Sequence, residues 1–295
     1  MAGLAGLVST VKFGMDFALL RRERPFIVGL AVTDRCNLRC RHCRVWRSHG
    51  RHMPLADIEA VLRRFHARGA RLLYLEGGEP CLWRDQDKRL ADVVQLAHRL
   101  GYLRVHLYTN GTLPIDTAAD FSWISADGLH ATNRELRGSD LEQVLGNAAA
   151  CTGHKAMLFT VNAVNHGELR PFLELVRDRL PGVPVFFNLH TPYYGRDELL
   201  LEDDARHAVV DTLQALRRKG LPLLNSRPGL ERLRPGRGGI PSRLYWVVDQ
   251  AGEYPCCRVL GDRSVCDHCG YAACEEIHLA RSLHPAAVAG LLRSY

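Results

Sequence analysis

Residues 26–43 read FIVGLAVTDRCNLRCRHC. The apolar run at 26–33 is short and is bounded by Asp34 and Arg35, the pattern of a strand buried on both faces. Directly after it come Cys36, Cys40 and Cys43, spaced C-x3-C-x2-C. A structural zinc site closes its metal off with four ligands, whereas three thiolates leave one coordination position for a group that is not protein. The strand therefore delivers three soft donors to its C-terminal end and reserves a place for something else.

Outward from this stretch the pattern alternates. Residues 54–69, PLADIEAVLRRFHARG, set Leu55, Ile58, Leu62 and Phe65 on one helical face and stop at Gly69. Further strands are predicted at 71–78, 103–111, 121–128, 156–164 and 183–192. Helices are predicted at 88–101, 139–150 and 169–180, the last with Pro171 in its first turn. Six strand–helix units in series imply a parallel α/β sheet, and right-handed crossovers carry every strand's C-terminal end to one rim. That rim gathers the cysteine loop, EGGEP, TNGT, SADG, VNAVN and NLHTPYYG, and α/β folds bind their ligands there.

Composition narrows the class. With 295 residues, 46% of them apolar, the chain can build one large α/β domain and a small appendage. The net charge of +7 is scattered through RRERP, RCRHCRVWRSHGRH and LERLRPGRGG without a long basic run, so no nucleic-acid partner is expected. Eight of the ten cysteines fall in two tight groups, which points to metal ligation in a reducing cytoplasm, not to a disulfide framework. Residues 1–20 are apolar, but Lys12 and Asp16 interrupt them and the basic RRER follows them, against both a signal peptide and a bilayer span. Residues 1–25 are read as an amphipathic helix, packed on the protein or in peripheral contact with a membrane.

The cysteine loop, together with GGEP at 77–80, resembles the signatures of the radical S-adenosylmethionine (radical SAM) enzymes, and the resemblance runs from Phe26 to Leu224. It implies a partial (β/α)6 barrel in which Cys36, Cys40 and Cys43 hold three irons of a [4Fe-4S] cluster. S-adenosylmethionine takes the fourth iron through its amino and carboxylate groups. His42 stands where that family usually has an aromatic residue. Gly77 and Gly78 would let backbone approach the ligand, Glu79 would offer a carboxylate to its ammonium, and Pro80 would fix the turn. Asn110, Ser125 and Asn162 match positions that contact the methionine and ribose groups, though each is equally an ordinary turn former. Arg137 is a candidate partner for the methionine carboxylate, or else a solvated arginine at a helix start. The competing reading is zinc, with His42, His49 or His52 as a fourth ligand; it leaves GGEP unexplained.

The C-terminal fifth carries a second constellation. YWVVDQAGEYPCC at 245–257 reads as a hairpin, and Cys266, Cys269 and Cys274 follow with C-x2-C-x4-C spacing. With Cys256 or Cys257 they supply four ligands for one closed site. This tail resembles a shortened SPASM or twitch domain, implying a second, auxiliary [4Fe-4S] cluster, with zinc as the alternative. Adjacent side chains rarely aim at one metal, so one of the pair is expected to face elsewhere; Cys257 is the candidate hydrogen donor, against a passive neighbour. Cys81 and Cys151 are read as core residues.

The expected organisation is an extension at 1–25, a radical SAM barrel at 26–225 and an auxiliary-cluster domain at 226–295. The resemblance implies an oxidoreductase or tailoring enzyme that cleaves S-adenosylmethionine to a 5′-deoxyadenosyl radical, with electrons from a flavodoxin or ferredoxin. The radical would take hydrogen from a small biosynthetic intermediate, leading to oxidation, epimerisation or rearrangement. His190, Tyr193 and Tyr194 at the mouth of strand six are the candidate substrate residues. A peptide-modifying maturase is the first alternative, although no peptide-recognition segment is evident before Phe26, which weighs against a leader-dependent one; no cobalamin-binding domain is evident either. A non-catalytic iron–sulfur electron carrier is the second.

Overall fold

The computed structural model describes residues 24–47, 50–237, 243–281 and 284. The helix expected at 1–25 lies almost wholly outside them, as does His49. Six strands follow in chain order: β1 (Ile27–Thr33), β2 (Leu72–Gly77), β3 (Arg104–Thr109), β4 (Phe121–Ser125), β5 (His154–Val161) and β6 (Val185–Leu189). All are parallel and pair in sequence order. Every residue of β1 and of β6 is buried, as a parallel strand covered on both faces requires.

Helices α1 (Leu55–Arg68) and α2 (Leu90–Arg99) cover the outer face. There Val28, Leu30, Leu73, Leu75 and Leu107 pack with Ile58, Leu62, Phe65 and Val94. Gly69 ends α1 at φ 117, a left-handed cap that costs glycine little. The alternate residues of the strands turn inward, Ile27, Tyr74, Trp123 and Phe186 among them, because successive side chains leave a strand on opposite faces.

One expectation needs correcting. No helix joins β3 to β4; residues 110–120 run as a loop, in which Gly111 at φ 70 and Pro114 break any helical repeat. Two helices follow β4 instead: α3 (His130–Arg137) and α4 (Leu141–Ala150). HATNRELR in α3 offers only Ala131 and Leu136 as apolar residues, too few to show a helical stripe. Then come α5 (Leu169–Arg179), α6 (Asp203–Arg218) and α7 (Arg227–Arg232).

The C-terminal hairpin does not stand apart from the barrel. Its first strand, β7 (Tyr245–Val248), extends the sheet parallel to β1, and β8 (Glu253–Pro255) returns antiparallel to it. After α8 (Arg263–Cys266) the chain reaches the other sheet edge. Leu189 N donates to Gly270 O at 2.8 Å, and Gly270 N donates to Thr191 Oγ1 at 2.9 Å. A Cβ at Gly270 would stand 2.6 Å from the Leu189 carbonyl carbon, so only glycine lets these backbones meet. The last helix, α9 (Ala272–Arg281), packs on α7 and β6. Among the described residues no helix is long and apolar enough to cross a membrane.

Candidate functional site

At the C-terminal end of β1 the chain enters the cysteine loop. Thr33 Oγ1 donates to Arg51 O at 3.0 Å and accepts from Arg35 N at 3.1 Å, which fixes the exit angle. Leu38 N donates to Cys36 Sγ at 3.4 Å, and Cys40 Sγ donates to Arg137 O at 3.6 Å. Burial pushes all three thiols above their ordinary pKa, and each is pushed further by another of the three. Cys36, Cys40 and Cys43 are thus mutual neighbours at the barrel rim.

The GGEP turn locks against that loop. Gly78 N donates to Thr33 O and Glu79 N to Arg35 O, both at 2.7 Å. At Gly77, φ 132 excludes other residues, and a Cβ would overlap the Thr33 carbonyl oxygen. The two glycines were expected to admit a ligand; what they admit here is the backbone of the cysteine loop. Glu79 also departs from expectation. It is fully buried, and its carboxylate already accepts from Cys81 N (3.0 Å), Thr109 Oγ1 (2.9 Å) and Asn110 N (2.7 Å). Burial pushes its carboxyl up, with these donors opposing. Glu79 ties β2 to β3, with Pro80 opening the short turn that it caps.

Asn110, a candidate contact for the methionine or ribose groups, reaches the cysteine loop through protein partners. Its Nδ2 donates to Asn37 Oδ1 at 2.9 Å and lies 4.0 Å from Cys36 Sγ. Asn162 adopts the turn role: its Oδ1 accepts from Val164 N at 2.9 Å and from Asn165 N at 3.3 Å. Ser125 ends β4, partly buried on the rim.

Arg137 is not a solvated arginine at a helix start. It closes α3, is 8% exposed, and donates to Asp127 Oδ2 at 2.7 Å. Burial works against its charge, yet Asp127 holds its pKa above the ordinary value. Asp127, a residue that sequence reasoning passed over, is a hub. Its other oxygen accepts from Thr160 N at 2.7 Å, its N–H donates to Asn133, and His42 Nε2 lies 3.9 Å away. Its signal in the sequence was its place in SADG, two residues beyond the end of β4 on the rim. Burial holds His42 down to about 4, against the pull of Asp127. Two donor-capable atoms here, Arg137 Nε and His42 Nδ1, are buried without a hydrogen-bond partner.

These features bear on whether an iron–sulfur cluster and S-adenosylmethionine fit. Among the described residues no group of three His, Cys, Asp or Glu side chains is placed to hold a single metal ion. A cubane puts each thiolate on a separate iron and does not need them at one point. The orphaned polar atoms of Arg137 and His42 suit an anionic group beside Cys40 and Cys43. The residues present fit the pair.

Cys256 is hydrogen-bonded to both Cys257 and Cys274, contacts that push the latter two thiols up, and burial takes Cys269 up to about 11 with Cys256 adding to it. The four that neighbour one another are therefore Cys256, Cys257, Cys269 and Cys274. Cys256 sits at φ 64, a left-handed turn directly after β8, and its side chain lies beside that of Cys257. Cys266, expected as a ligand, ends α8, its N–H donating to Asp262 O at 2.8 Å. Cys151 is buried as expected, while Cys81 is partly exposed on the rim.

Of the three candidate substrate residues, two are already engaged. His190 is 5% exposed and bonds Asp197 at 3.0 Å. Tyr193 faces the C-terminal cysteines; burial raises its phenol well above the ordinary value and Cys269 adds to it. Tyr194 is 48% exposed, with the Arg44 guanidinium 4.8 Å over its ring.

A parallel α/β barrel wall with three thiols and a glycine-locked turn at its C-terminal rim defines a cluster-binding enzyme class, and comparison with known proteins agrees. Residues 30–152 match the family model of the Radical SAM superfamily. The GTP 3′,8-cyclase of Edwardsiella ictaluri is 30% identical over 252 residues, 77% of this chain and 70% of that protein. The pre-heme d1 synthase of Dinoroseobacter shibae is 34% identical over 195 residues, 60% of this chain and 46% of that protein. The chain spans about half the length of this synthase and of the Geobacter sulfurreducens GTP 3′,8-cyclase. Among solved structures, anSMEcpe with bound AdoMet and Cp18Cys peptide superposes with a TM-score of 0.63 at 18% identity, covering 84% of this chain and 79% of that one. Streptococcus suis SuiB bound to S-adenosylmethionine gives 0.63 at 14%, covering 85% and 64%.

The chain belongs to the radical SAM superfamily. It is an enzyme of partial-barrel fold, in a family whose cofactors are a [4Fe-4S] cluster and S-adenosylmethionine and whose members draw electrons from a reductant.

Proposed function

We propose that this chain cleaves S-adenosylmethionine reductively at a [4Fe-4S] cluster held by Cys36, Cys40 and Cys43 and uses the product to abstract hydrogen from a small biosynthetic intermediate. The observation that carries the reading is the lock between the cysteine loop and GGEP, with Gly78 and Glu79 bonded to Thr33 and Arg35 at 2.7 Å. Once bound, cluster and S-adenosylmethionine supply one-electron cleavage to methionine and a 5′-deoxyadenosyl radical. The chain's own part is placement. Asn110 and Glu79 hold the loop against β3, and Arg137 opposes the upward push of burial on the Cys40 and Cys43 thiols, a pull toward the thiolates that ligation needs.

The barrel at 26–225 would house this chemistry, and 226–295 would hold an auxiliary [4Fe-4S] cluster, or zinc, among Cys256, Cys257, Cys269 and Cys274. Reduced thiols suit a cytoplasmic setting and a flavodoxin or ferredoxin donor. The names of the relatives above, a GTP cyclase and a pre-heme d1 synthase, denote small-molecule chemistry and support a small substrate over a peptide.

Anaerobic reconstitution with iron and sulfide, followed by dithionite and S-adenosylmethionine, tests the reading. 5′-Deoxyadenosine is expected from the native chain and not from a Cys36→Ala, Cys40→Ala, Cys43→Ala variant. Its absence from iron-replete native protein would leave the electron-carrier reading in its place.

A further inference from the structure

Inside the barrel, below the rim, three rings from neighbouring strands form a slab. Tyr74 stacks on Tyr108 with centroids 5.4 Å apart and planes at 26°, and Tyr108 stacks on Trp123 at 6.0 Å and 16°. Tyr245 of β7 meets Tyr74 edge-on at 6.2 Å. Tyr271, carried in beside β6, is hydrogen-bonded to Tyr108. Into this aromatic lining projects one carboxylate, Glu76, the residue before GGEP.

Glu76 lies deep in the barrel yet keeps accessible surface, so it faces the lumen and not the packed wall. The hydroxyl of Tyr245 reaches its Oε2 at a long 3.4 Å. Among the described residues no Lys, Arg or His nitrogen pairs with it within ion-pair distance. Arg258 is partly exposed and ion-paired to Asp249, and its charge reaches Glu76 from beyond ion-pair distance. Room for the carboxylate is built in: a Cβ at Gly29 on β1 would stand 3.1 Å from Glu76 Oε1 and 2.5 Å from the Tyr245 hydroxyl.

A carboxylate held among aromatic rings without a close counter-ion is costly unless a ligand completes it. Burial pushes the Glu76 carboxyl above its ordinary pKa, with Arg258 and Tyr245 opposing. A cation arriving from a ligand reverses that penalty, and tyrosine and tryptophan faces favour the same charge.

We infer that the lumen is a subsite for a substrate with a flat apolar body and an ammonium group, with Glu76 as the anchoring carboxylate and the Tyr74–Tyr108–Trp123 slab as the platform. The inference rests on the reading of this chain as a radical enzyme acting on a small molecule and names the chemical class. Binding needs no turnover, so its failure is distinguishable from a failure to form 5′-deoxyadenosine.

The probes are phenethylamine and its uncharged analogue 2-phenylethanol, titrated calorimetrically into anaerobically reconstituted protein saturated with S-adenosylmethionine. The amine is expected to bind at least tenfold more tightly than the alcohol. Glu76→Gln should bring the two within twofold of each other at an unchanged melting temperature. Gly29→Ala, which crowds Glu76 and Tyr245 without touching charge, should weaken the amine at least tenfold and serves if Glu76→Gln does not fold. Equal binding of the two probes by the native protein, or an amine preference that survives both substitutions, overturns the inference.

Discussion

A Cβ atom at Gly78 would stand 2.5 Å from the carbonyl carbon of Arg35 and 2.9 Å from the carbonyl oxygen of Asp34. Both are backbone atoms of the cysteine loop, so no side-chain rotation can relieve the overlap. Gly78→Ala is therefore expected to push the loop off the barrel and to cut iron retention at Cys36, Cys40 and Cys43 by more than half, read as iron per chain after anaerobic desalting. Gly146 in α4 is the control. A Cβ there meets nothing within 4 Å, and Gly146→Ala should keep all its iron while raising stability by about 0.5–1 kcal/mol in urea unfolding. Equal iron in the two variants would separate the GGEP turn from cluster binding.

That relationship also shows where sequence reading reached its limit. The strand at 26–33, the helix stop at Gly69 and the cysteine spacing were legible because each is local: an apolar run, a left-handed cap, three donors in one loop. What lay hidden was long-range. Glu79 looked free to bind a ligand because its three donors include Thr109 and Asn110, about thirty residues away in sequence. The pairing of Tyr245 with Ile27 joins chain segments that only a closed fold brings together. Cys256 and Cys257 were expected to diverge because adjacent side chains rarely aim at one metal, and the left-handed turn at Cys256, φ 64, was not legible in the sequence.

His106 sets a pH dependence on stability. Its ring is enclosed by Tyr74 at 4.8 Å and Phe121 at 5.4 Å, and its Nδ1 accepts from Trp123 Nε1 at 3.3 Å. Burial holds its pKa down to about 3, with Arg104 adding to the shift, against 6.5 for an ordinary histidine. The folded state thus keeps the ring neutral where the unfolded chain takes up a proton. Its contribution is complete above pH 6.5 and is lost as pH falls from there toward 3. Between pH 6.5 and 5 the native protein should lose roughly 1.7 kcal/mol more than His106→Phe, the slope approaching about 1.4 kcal/mol per pH unit only below the unfolded value. Parallel stability–pH curves for the two proteins in urea titrations would place His106 in a wetter site than the geometry shows.

The C-terminal cysteines give the sharpest division between spacing and structure. Spacing alone nominates Cys266, whereas the folded chain sets Cys256 between Cys257 and Cys274 with Cys269 beside them. Two cubanes would give about eight irons per chain, and loss of one would leave about four. Cys256→Ala and Cys274→Ala are expected to fall to about four, since a cluster short of one thiolate exposes an iron to solvent and exchange. Cys266→Ala should stay near eight, because that residue serves to end α8 and is replaceable there. Cys257→Ala then decides between ligand and hydrogen donor: iron loss makes it the fourth ligand, while full iron with intact 5′-deoxyadenosine formation but no product, the substrate radical staying unquenched, makes its thiol the donor. If Cys266→Ala loses iron and Cys257→Ala does not, Cys266 is the ligand and Cys257 is not. Zinc in place of the second four irons in elemental analysis would remove the auxiliary cluster while leaving the ligand test intact.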